Sequence, residues 1–486
     1  MIRTSIFIAS VFAFGIFVKM QGQTVTNYKP VSVNYVNLAD DATVTAHPVK
    51  TEKLEIQSSE KSDLSVKIKL NEIIHSNLSG IGGAFNEQGG EAFMCLSAKD
   101  QKILAKNLFN AKKGIGFSMC RTAVGSSDFG LGAYSYSETP EDFEMKDFSV
   151  ARDESSVIPF IKAAYKQNPD LMIFASPWSP PGWMKLSGKM DDGAVRKEVT
   201  PGGRQMWVNN GKNYLREEEQ IYKAYALYFT KYVQAYAQRG VTIDRLVIQN
   251  ETDMNTKYPS CDMSPEQMAK LAFEYIKPAF DNAGLTTGLW AGTFRGKRDD
   301  AARFIDLDGA GKIDGIAMQY AGGRQVKAVC QAGYRVMHSE GKCYNSKNTM
   351  AQARSRFGEV CMWFNAGSDN YCYWNMVLNE NSKSGWGWKQ NSMIKIDRQA
   401  KTVTYNADYA PMALFSKFIR PGDQSVRALT PDKVDALAVR NEKQLVVFLQ
   451  NETNAVTTEN IELADKNYAV ELPANSLCAF VFEPAN

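Results

Sequence analysis

Histidine is scarce in this sequence, because the 486 residues include only three, His47, His75 and His338. They share no short spacing, so the chain has little material for a histidine-rich metal site or a Ser-His-Asp triad. The eight cysteines contain no Cys-x-x-Cys pair, which argues against zinc, and we expect most of them to be free thiols. Carboxylate chemistry without a metal or another cofactor is therefore the expectation.

An excess of charge of one sign is also missing. The 56 lysines and arginines nearly balance the 53 aspartates and glutamates, which leaves a formal charge of +3. This excess is too small for a nucleic-acid groove or an anionic membrane surface, so we expect an uncharged partner and no nucleic acid. Aromatic residues make up 11% of the chain. Their flat rings stack on the apolar faces of sugars, which favours a carbohydrate ligand.

A helix that crosses a membrane needs about 18 consecutive apolar residues. The sequence beyond the N-terminus has no apolar run of that length. Residues 1–22 have a basic residue, Arg3, near their start, then an apolar run from Ile6 to Val18 and a polar stretch, as secretory signal peptides do. We predict cleavage near Gly22, export from the cytoplasm and no stable membrane insertion afterwards. The alternative is an uncleaved anchor. We expect the exported chain to be a monomer.

Residues 78–419 alternate short apolar runs with longer amphipathic stretches, which is typical of repeated βα units. Eight such units predict a (β/α)8 TIM barrel. The strand candidates are Gly80–Phe85, Gly116–Thr122, Leu171–Ser176, Leu246–Asn250, Thr287–Gly292, Gly315–Gln319, Tyr334–Ser339 and Asn370–Trp374.

The flanks of this region show the alternation of β-strands. Period-two stretches lie within residues 52–70 and 426–483 and are separated by polar turns. We predict one all-β sandwich domain built from both ends of the chain, residues 51–77 and 420–486. Residues 23–50 show no strong period and are expected to be a linker or irregular segment.

Two glutamates follow strand candidates in the predicted barrel. Glu251 comes after the fourth candidate and Glu340 after the seventh. The active site of a barrel lies at the carboxyl ends of its strands, and strands four and seven face each other across that end. One isolated glutamate of this kind is usually an ordinary solvated charge. The pair instead matches the two carboxylates of a glycoside hydrolase, which retain configuration when about 5–5.5 Å apart.

A proline-rich segment after the third strand candidate displays two indoles, those of Trp178 and Trp183. Prolines stiffen a loop, and a loop above a strand presents its rings to the barrel mouth. The alternative is that Trp178 is a core residue.

Six short motifs occur in order along the chain: Gly80–Phe85, Ala175–Pro181, Ile248–Glu251, Ser339–Glu340, Tyr373–Asn375 and Phe415–Ile419. By these motifs the sequence resembles glycoside hydrolase family 30, which includes glucosylceramidases and β-1,6-glucanases. The resemblance implies that Glu251 is the acid/base and Glu340 the nucleophile.

The same resemblance implies further roles around the two glutamates. Asn250 would hold the sugar 2-hydroxyl, an interaction that strengthens in the transition state. Trp178 and Trp374 would form walls of the −1 subsite. Arg121 resembles the family arginine that lies beneath the nucleophile and keeps it ionised.

Several positions depart from the family pattern. Thr252 follows Glu251 where the family has proline, and Glu87 replaces an aspartate that binds distal sugar hydroxyls. Gln319-Tyr320-Ala321 replaces His-Trp-Tyr, so the tyrosine that contacts the nucleophile is missing unless a one-residue shift of register lets Tyr320 take its place. Trp386, after strand eight, is assigned to the leaving-group subsites.

The sequence thus predicts an exported retaining β-glycoside hydrolase that acts on a β-linked glucan or glucoside. β-1,6-Glucan is the first choice of substrate. The alternatives are an exo-acting β-glucosidase, a glucosylceramidase or a β-xylosidase of the same family, and a carbohydrate-binding barrel without catalysis.

Overall fold

The computed structural model describes residues 27–485 except 39–42, 55, 57, 60–64, 192–193, 200–204, 210, 297, 310, 344–345 and 432–433. The predicted signal peptide, residues 1–22, lies outside the described residues. In the part that is described, none of the helices combines the length and the apolar character needed to cross a membrane.

Eight parallel strands form the central sheet, as the sequence predicts, and nearly all of their residues are buried. They follow one another in the order β7-β6-β5-β4-β3-β2-β1-β8, and bridges at Val336–Ser368 and Gly341–Tyr373 join β7 to β8 and close the barrel. The strands are β1 Gly80–Phe85, β2 Met119–Ala123, β3 Met172–Ser176, β4 Arg245–Val247, β5 Gly288–Phe294, β6 Gly315–Gln319, β7 Val336–Glu340 and β8 Asn370–Asn375.

Helices surround the barrel, and most bury one face, whereas Tyr409–Phe418 is buried on nearly all sides. The longest is α4, whose buried residues recur every three or four positions. Pro265 occupies the first turn of α5, and the hydroxyl of Ser264 caps that helix by accepting from the Gln267 amide. The helices are α1 Glu87–Met94, α2 Ala98–Phe109, α3 Val157–Tyr165, α4 Glu219–Gln238, α5 Pro265–Lys270, α6 Lys277–Asn282, α7 Asp300–Asp308, α8 Val326–Gln331, α9 Met350–Ala366 and α10 Tyr409–Phe418.

A ten-stranded sheet forms the all-β module and takes strands from both ends of the chain. Its own apolar core is separate from the core between barrel and helices. The strands are Tyr28–Asn37, Lys50–Lys53, Ser58–Ser59, Ser65–His75, Gln424–Leu429, Ala436–Arg440, Leu445–Asn451, Thr457–Leu463, Lys466–Leu472 and Ser476–Pro484.

The prediction that residues 23–50 are a linker is wrong for Tyr28–Asn37, which pairs antiparallel with Ser476–Pro484. Val33 and Tyr35 enter the core of the β module, whereas Val36 packs into the main core. Because both faces of the strand find apolar partners, its sequence lacks the strict alternation of a half-buried strand.

Smaller strands flank the barrel mouth. A hairpin of Ala194–Val199 and Gln205–Asn209 interrupts the connection between β3 and α4. After β8, the strands Val377–Asn379, Ile394–Asp397 and Thr402–Asn406 form a sheet with Thr43–Val44.

Candidate active site

Both glutamates lie at the carboxyl end of the barrel and face one cavity of about 490 Å³. Glu340 is the last residue of β7, and Glu251 lies four residues beyond the end of β4. Both are 5% exposed. The cavity is lined by Asp128, Trp178, Asn250, Glu251, Met254, Thr256, Lys257, Tyr258, Tyr320, Glu340, Trp386, Gly387, Trp388 and Gln390.

Glu340 is held by one guanidinium and one phenol. Arg121, fully buried on β2, donates from Nη1 to Glu340 Oε2 at 2.7 Å, and the Tyr320 hydroxyl donates to Glu340 Oε1. Arg121 Nη2 donates to Asn250 Oδ1 and to Ser176 Oγ, both at 2.7 Å. One cation therefore fixes both the carboxylate on β7 and the amide next to Glu251.

Burial raises the pKa of the Glu340 carboxyl, and the charge of Glu251 raises it further. The charge of Arg121 and the hydrogen bonds from Tyr320 and Arg121 oppose this rise. Two carboxyl groups in one buried cavity bind a first proton readily, because the protonated pair avoids repulsion between two anions.

Glu251 has a different set of neighbours. The Tyr258 hydroxyl donates to its Oε2 at 3.0 Å, and the Gln319 amide donates to its Oε1 at 3.2 Å. Arg295, the first residue after β5, brings Nη1 to 3.6 Å from Oε2. The Glu251 N–H donates to Thr293 Oγ1 at 2.9 Å, in a left-handed backbone with φ 47°.

Thr252 leaves the carboxyl of Glu251 in the cavity although it replaces the family proline. The Thr252 carbonyl accepts from the Met263 amide at 2.9 Å and from the Arg298 guanidinium at 3.0 Å. These two bonds hold the loop directly after Glu251.

The two predicted subsite tryptophans stack on each other with ring centroids 4.8 Å apart and an interplanar angle of 26°. The guanidinium of Arg121 lies 4.4 Å from the Trp178 ring centroid. Trp178 lines the cavity, and Trp374 supports it from a buried position at the end of β8. Trp386 also lines the cavity, and its indole N–H donates to Asp191 Oδ2 at 3.3 Å.

Tyr320 corrects the expectation that the chain lacks a tyrosine on the nucleophile. The pairing of β6 with β7 shifts by one residue after Met318, so that Gln319 pairs with Glu340. Tyr320 follows with φ 53°, and its hydroxyl reaches Glu340. The one-residue shift of register that Tyr320 needs to replace the missing tyrosine is therefore present.

Glu87 does not line this cavity, contrary to its assignment as a sugar ligand. Its carboxylate accepts from Arg152 Nε at 2.7 Å and from the Leu131 amide at 2.6 Å. As the first residue of α1 it also meets the positive end of that helix.

Asp128 is the carboxylate that the sequence argument missed. It lines the cavity from the loop after β2, and burial raises its pKa well above the usual value, with added repulsion from Glu340 and Glu251. The motif Ser126-Ser127-Asp128 follows an apolar run, which is the pattern that pointed to Glu251 and Glu340.

Comparisons with known proteins were made for the whole chain. The Glycosyl hydrolase family 30 TIM-barrel domain matches residues 78–284. An endo-1,6-beta-D-glucanase, BGN16.3, of Trichoderma harzianum is 32% identical over 216 residues, 44% of this chain and 42% of the relative. The lysosomal acid glucosylceramidase of Mus musculus is 25% identical over 415 residues, 78% of this chain and 75% of the relative.

Among solved structures, the endo-beta1,6-glucanase BT3312 superposes with a TM-score of 0.77 at 18% identity, over 94% of this chain and all of that chain. At this identity the likeness shows the shared fold.

Proposed function

Because the chain belongs to glycoside hydrolase family 30 and is a retaining O-glycoside hydrolase, we propose that Glu251 and Glu340 carry its reaction. The single observation that carries the proposal is their arrangement. Both carboxyl groups are buried in one cavity at the ends of β4 and β7, and each has its own hydrogen-bond donors.

In the proposed first step, Glu340 attacks the anomeric carbon while Glu251 gives its proton to the leaving oxygen. The bond from the anomeric carbon to the leaving oxygen breaks, and a glycosyl ester of Glu340 forms. In the second step, Glu251 takes a proton from a water molecule as that water attacks the anomeric carbon. The bond between this carbon and Glu340 breaks, and Glu340 leaves as a carboxylate. Two inversions give net retention.

The neighbours of the pair have supporting roles in this proposal. The Arg121 guanidinium stabilises the anion of Glu340, and its bond to Asn250 Oδ1 leaves the Asn250 amide N–H groups for the sugar 2-hydroxyl. Trp178 supplies an apolar face to the ring at −1. Trp386 belongs to the leaving-group side.

The proposed substrate is a β-glucan, with β-1,6-linked glucan first. Relatives named as endo-1,6-beta-D-glucanases support it, and a relative named as a glucosylceramidase supports the exo-acting alternative. A β-xylosidase is the remaining choice within the family. A carbohydrate-binding barrel without catalysis is disfavoured, because both carboxylates are present.

The sequence pattern of residues 1–22 supports export as a further proposal, followed by action as a monomer outside the cytoplasm. We also propose residues 78–419 as the catalytic unit, with residues 51–77 and 420–486 in the β module.

The experiment measures reducing ends from β-1,6-glucan, β-1,3-glucan, glucosylceramide and aryl β-glucosides and β-xylosides, with the first product anomer followed by NMR. We expect β-1,6-glucan to be cleaved first and the β-anomer to appear first. Glu340→Gln is the matched control, since loss of the covalent step removes several kcal/mol of stabilisation and leaves less than about a hundredth of kcat. Cleavage of another glycoside but not of β-1,6-glucan would show that the proposed substrate is wrong. An active Glu340→Gln enzyme would overturn the assignment of the nucleophile.

A further inference from the structure

The two glutamates of the cavity each face an arginine, but the arginines differ in what else they contact. Arg121 donates to Glu340 and otherwise to neutral oxygens, those of Ser176, Asn250 and the Ser339 carbonyl. Arg121 therefore donates a hydrogen bond to one carboxylate, that of Glu340, although its charge also acts on Asp128.

Arg295 lies between two carboxylates. Its Nη1 is 3.6 Å from Glu251 Oε2, and its Nε is 3.4 Å from Asp253 Oδ1. Neither Arg295 Nε nor Asp253 Oδ1 has a hydrogen bond among the described residues, so the two atoms face each other as charges. Arg295 and Asp253 have side chains only 6% and 9% exposed, which limits screening by water.

The next arginine among the described residues, Arg298, also feels the charge of Asp253 but is paired with other carboxylates. Arg298 Nε pairs with Asp300 at 2.9 Å, and its Nη1 pairs with Asp262 at 3.3 Å. Among the described residues, Arg295 is thus the cation that forms an ion pair with Asp253.

We propose that Asp253 and Arg295 form a positioning pair that makes Glu251, and not Glu340, the protonated member of the two glutamates in the free enzyme. Asp253 offsets part of the charge that Arg295 directs at Glu251, so Arg295 favours the Glu251 anion less than it would alone. Arg121 donates its carboxylate hydrogen bond to Glu340, and this charged bond favours the Glu340 anion. The inference rests on the roles proposed above for the two glutamates.

Other groups around Glu251 agree with this division. Gln319 and Tyr258 donate neutral hydrogen bonds to it, whereas Glu340 receives a charged one from Arg121. The carboxylates of Glu251 and Asp253 raise the pKa of Arg295 above its usual value although burial lowers it, so the guanidinium stays charged. Among the described residues, the titratable and charged groups that face this part of the cavity or act on Asp253 are Arg121, Asp128, Asp253, Lys257, Tyr258, Arg295, Arg298, Asp300, Tyr320 and Glu340.

The test is the pH dependence of kcat/KM, whose basic limb reports loss of the proton from the acid. Asp253→Asn leaves the charge of Arg295 unopposed, so the basic limb should move to lower pH by roughly one unit or more. Arg295→Met removes the cation, so the limb should move to higher pH by roughly one to three units. The double variant should return the limb toward that of the wild type.

Two further variants separate this effect from structural damage. Arg295→Lys keeps a cation at the position and should leave the limb near the wild-type pH, even if kcat falls. Asp281→Asn removes an exposed carboxylate of α6 that pairs with Lys277 at 2.6 Å outside the cavity, and should not move the limb. Displacement in the same direction by Asp253→Asn and Arg295→Met, or no displacement in either, would overturn the proposal.

A titration without turnover keeps the outcome separate from the proposed function. Glutamate labelled with 13C at the side-chain carboxyl is followed by NMR in the free enzyme, and the two signals are assigned with Glu251→Gln and Glu340→Gln. We expect Glu251 to bind the first proton in the wild type and Asp253→Asn to weaken that preference. A first proton on Glu340 in the wild type would refute the inference, even if every tested glycoside were cleaved. If none were cleaved, the function would fail and the titration would still decide the inference.

Discussion

At the scale of single residues, Glu251 and Glu340 share a cavity but contact different donors, and replacing each should have a distinct effect. Glu251→Ala removes the group proposed to protonate the leaving oxygen. Cleavage of a glucan, whose alkoxide leaving group needs that proton, should slow by roughly 10²–10⁴-fold. An aryl glycoside with a good leaving group should still form the glycosyl-enzyme.

Azide completes this prediction, because it attacks the intermediate without a general base. Glu251→Ala with azide and the aryl glycoside should release a glycosyl azide of retained configuration, identified by NMR. Glu251→Gln serves as the matched variant of similar size. No azide adduct, or an inverted one, would show that Glu251 has another role.

Arg121 is predicted to control the acidic limb of the pH profile. Its guanidinium favours the anion of Glu340, whose pKa burial raises, so Arg121→Met should make Glu340 easier to protonate. The acidic limb of kcat/KM should then move to higher pH by roughly one to three units, in addition to a lower rate. Arg121→Lys keeps a cation and should move the limb less. An unchanged limb in a folded Arg121→Met enzyme would mean that Tyr320 or another donor keeps the nucleophile charged.

Which site residues could be predicted from sequence depended on whether a local pattern carries their position. Glu251 and Glu340 each follow an apolar strand, so the local sequence pattern predicts both positions. The contact of Tyr320 with Glu340 depends on a register shift between β6 and β7, which no local pattern encodes. Arg295 meets Glu251 only because β4 and β5 are neighbours in the barrel, so its partner could not be read from either segment alone.

At the scale of elements, the loop after β2 brings Asp128 into the cavity and returns to the barrel wall at Asp153. The carboxylate of Asp153 is buried and accepts from the hydroxyls of Tyr134 and Tyr136 at 2.6 Å and of Tyr236, on α4, at 2.5 Å. The bonds from Tyr134 and Tyr136 hold the loop together, and the bond from Tyr236 fastens it to α4.

Asp153→Asn should therefore lower the free energy of unfolding by about 1–3 kcal/mol, because the amide cannot accept all three bonds and turns donors toward the phenols. Denaturant unfolding monitored by fluorescence measures the change. Asp147→Asn, in the exposed part of the same loop, is the control and should stay within about 0.5 kcal/mol of the wild type. Equal stability of the two variants would show that the tyrosine cluster does not hold the loop.

Strands and helices could be predicted where the pattern of buried residues along the sequence is simple. The barrel strands are buried on both sides and appear as short apolar runs, so all eight were located, although β2 begins at Met119 and not at Gly116. Gly116 has φ +74°, a turn conformation that precedes the strand. Tyr28–Asn37 was missed because it serves two cores at once, and the hairpin beginning at Ala194 has no counterpart in a plain βα repeat.

At the scale of the whole molecule, a charge cluster joins the end of the barrel opposite the cavity to the β module. Asp369, fully buried just before β8, pairs with Arg245 of β4 at 2.9 Å and with Arg335, just before β7, at 3.1 Å. The hydroxyl of Ser79, just before β1, also donates to it. His75, the last residue of the strand Ser65–His75 in the β module, lies close enough to Asp369 to contribute to its electrostatic field.

Asp369→Asn is predicted to weaken the whole fold, because it leaves the buried Arg245 without its carboxylate. Removing one partner of a buried ion pair costs about 3–5 kcal/mol.

Although burial alone would raise the pKa of Asp369, the charges of Arg245 and Arg335 and the hydrogen bond from Arg245 hold it below its usual value. A carboxyl group with a lowered pKa in the folded state stabilises the protein above its unfolded pKa, and that stabilisation is lost as the pH falls through the folded pKa. The difference between wild type and Asp369→Asn should thus be largest near neutral pH and shrink in acid, as measured by denaturant unfolding at a series of pH values. Asp170→Asn, an exposed aspartate just before β3, should change the free energy of unfolding by less than about 0.5 kcal/mol at any pH. A loss from Asp369→Asn that is small at neutral pH, or that grows in acid, would show that the cluster does not hold this end of the barrel closed.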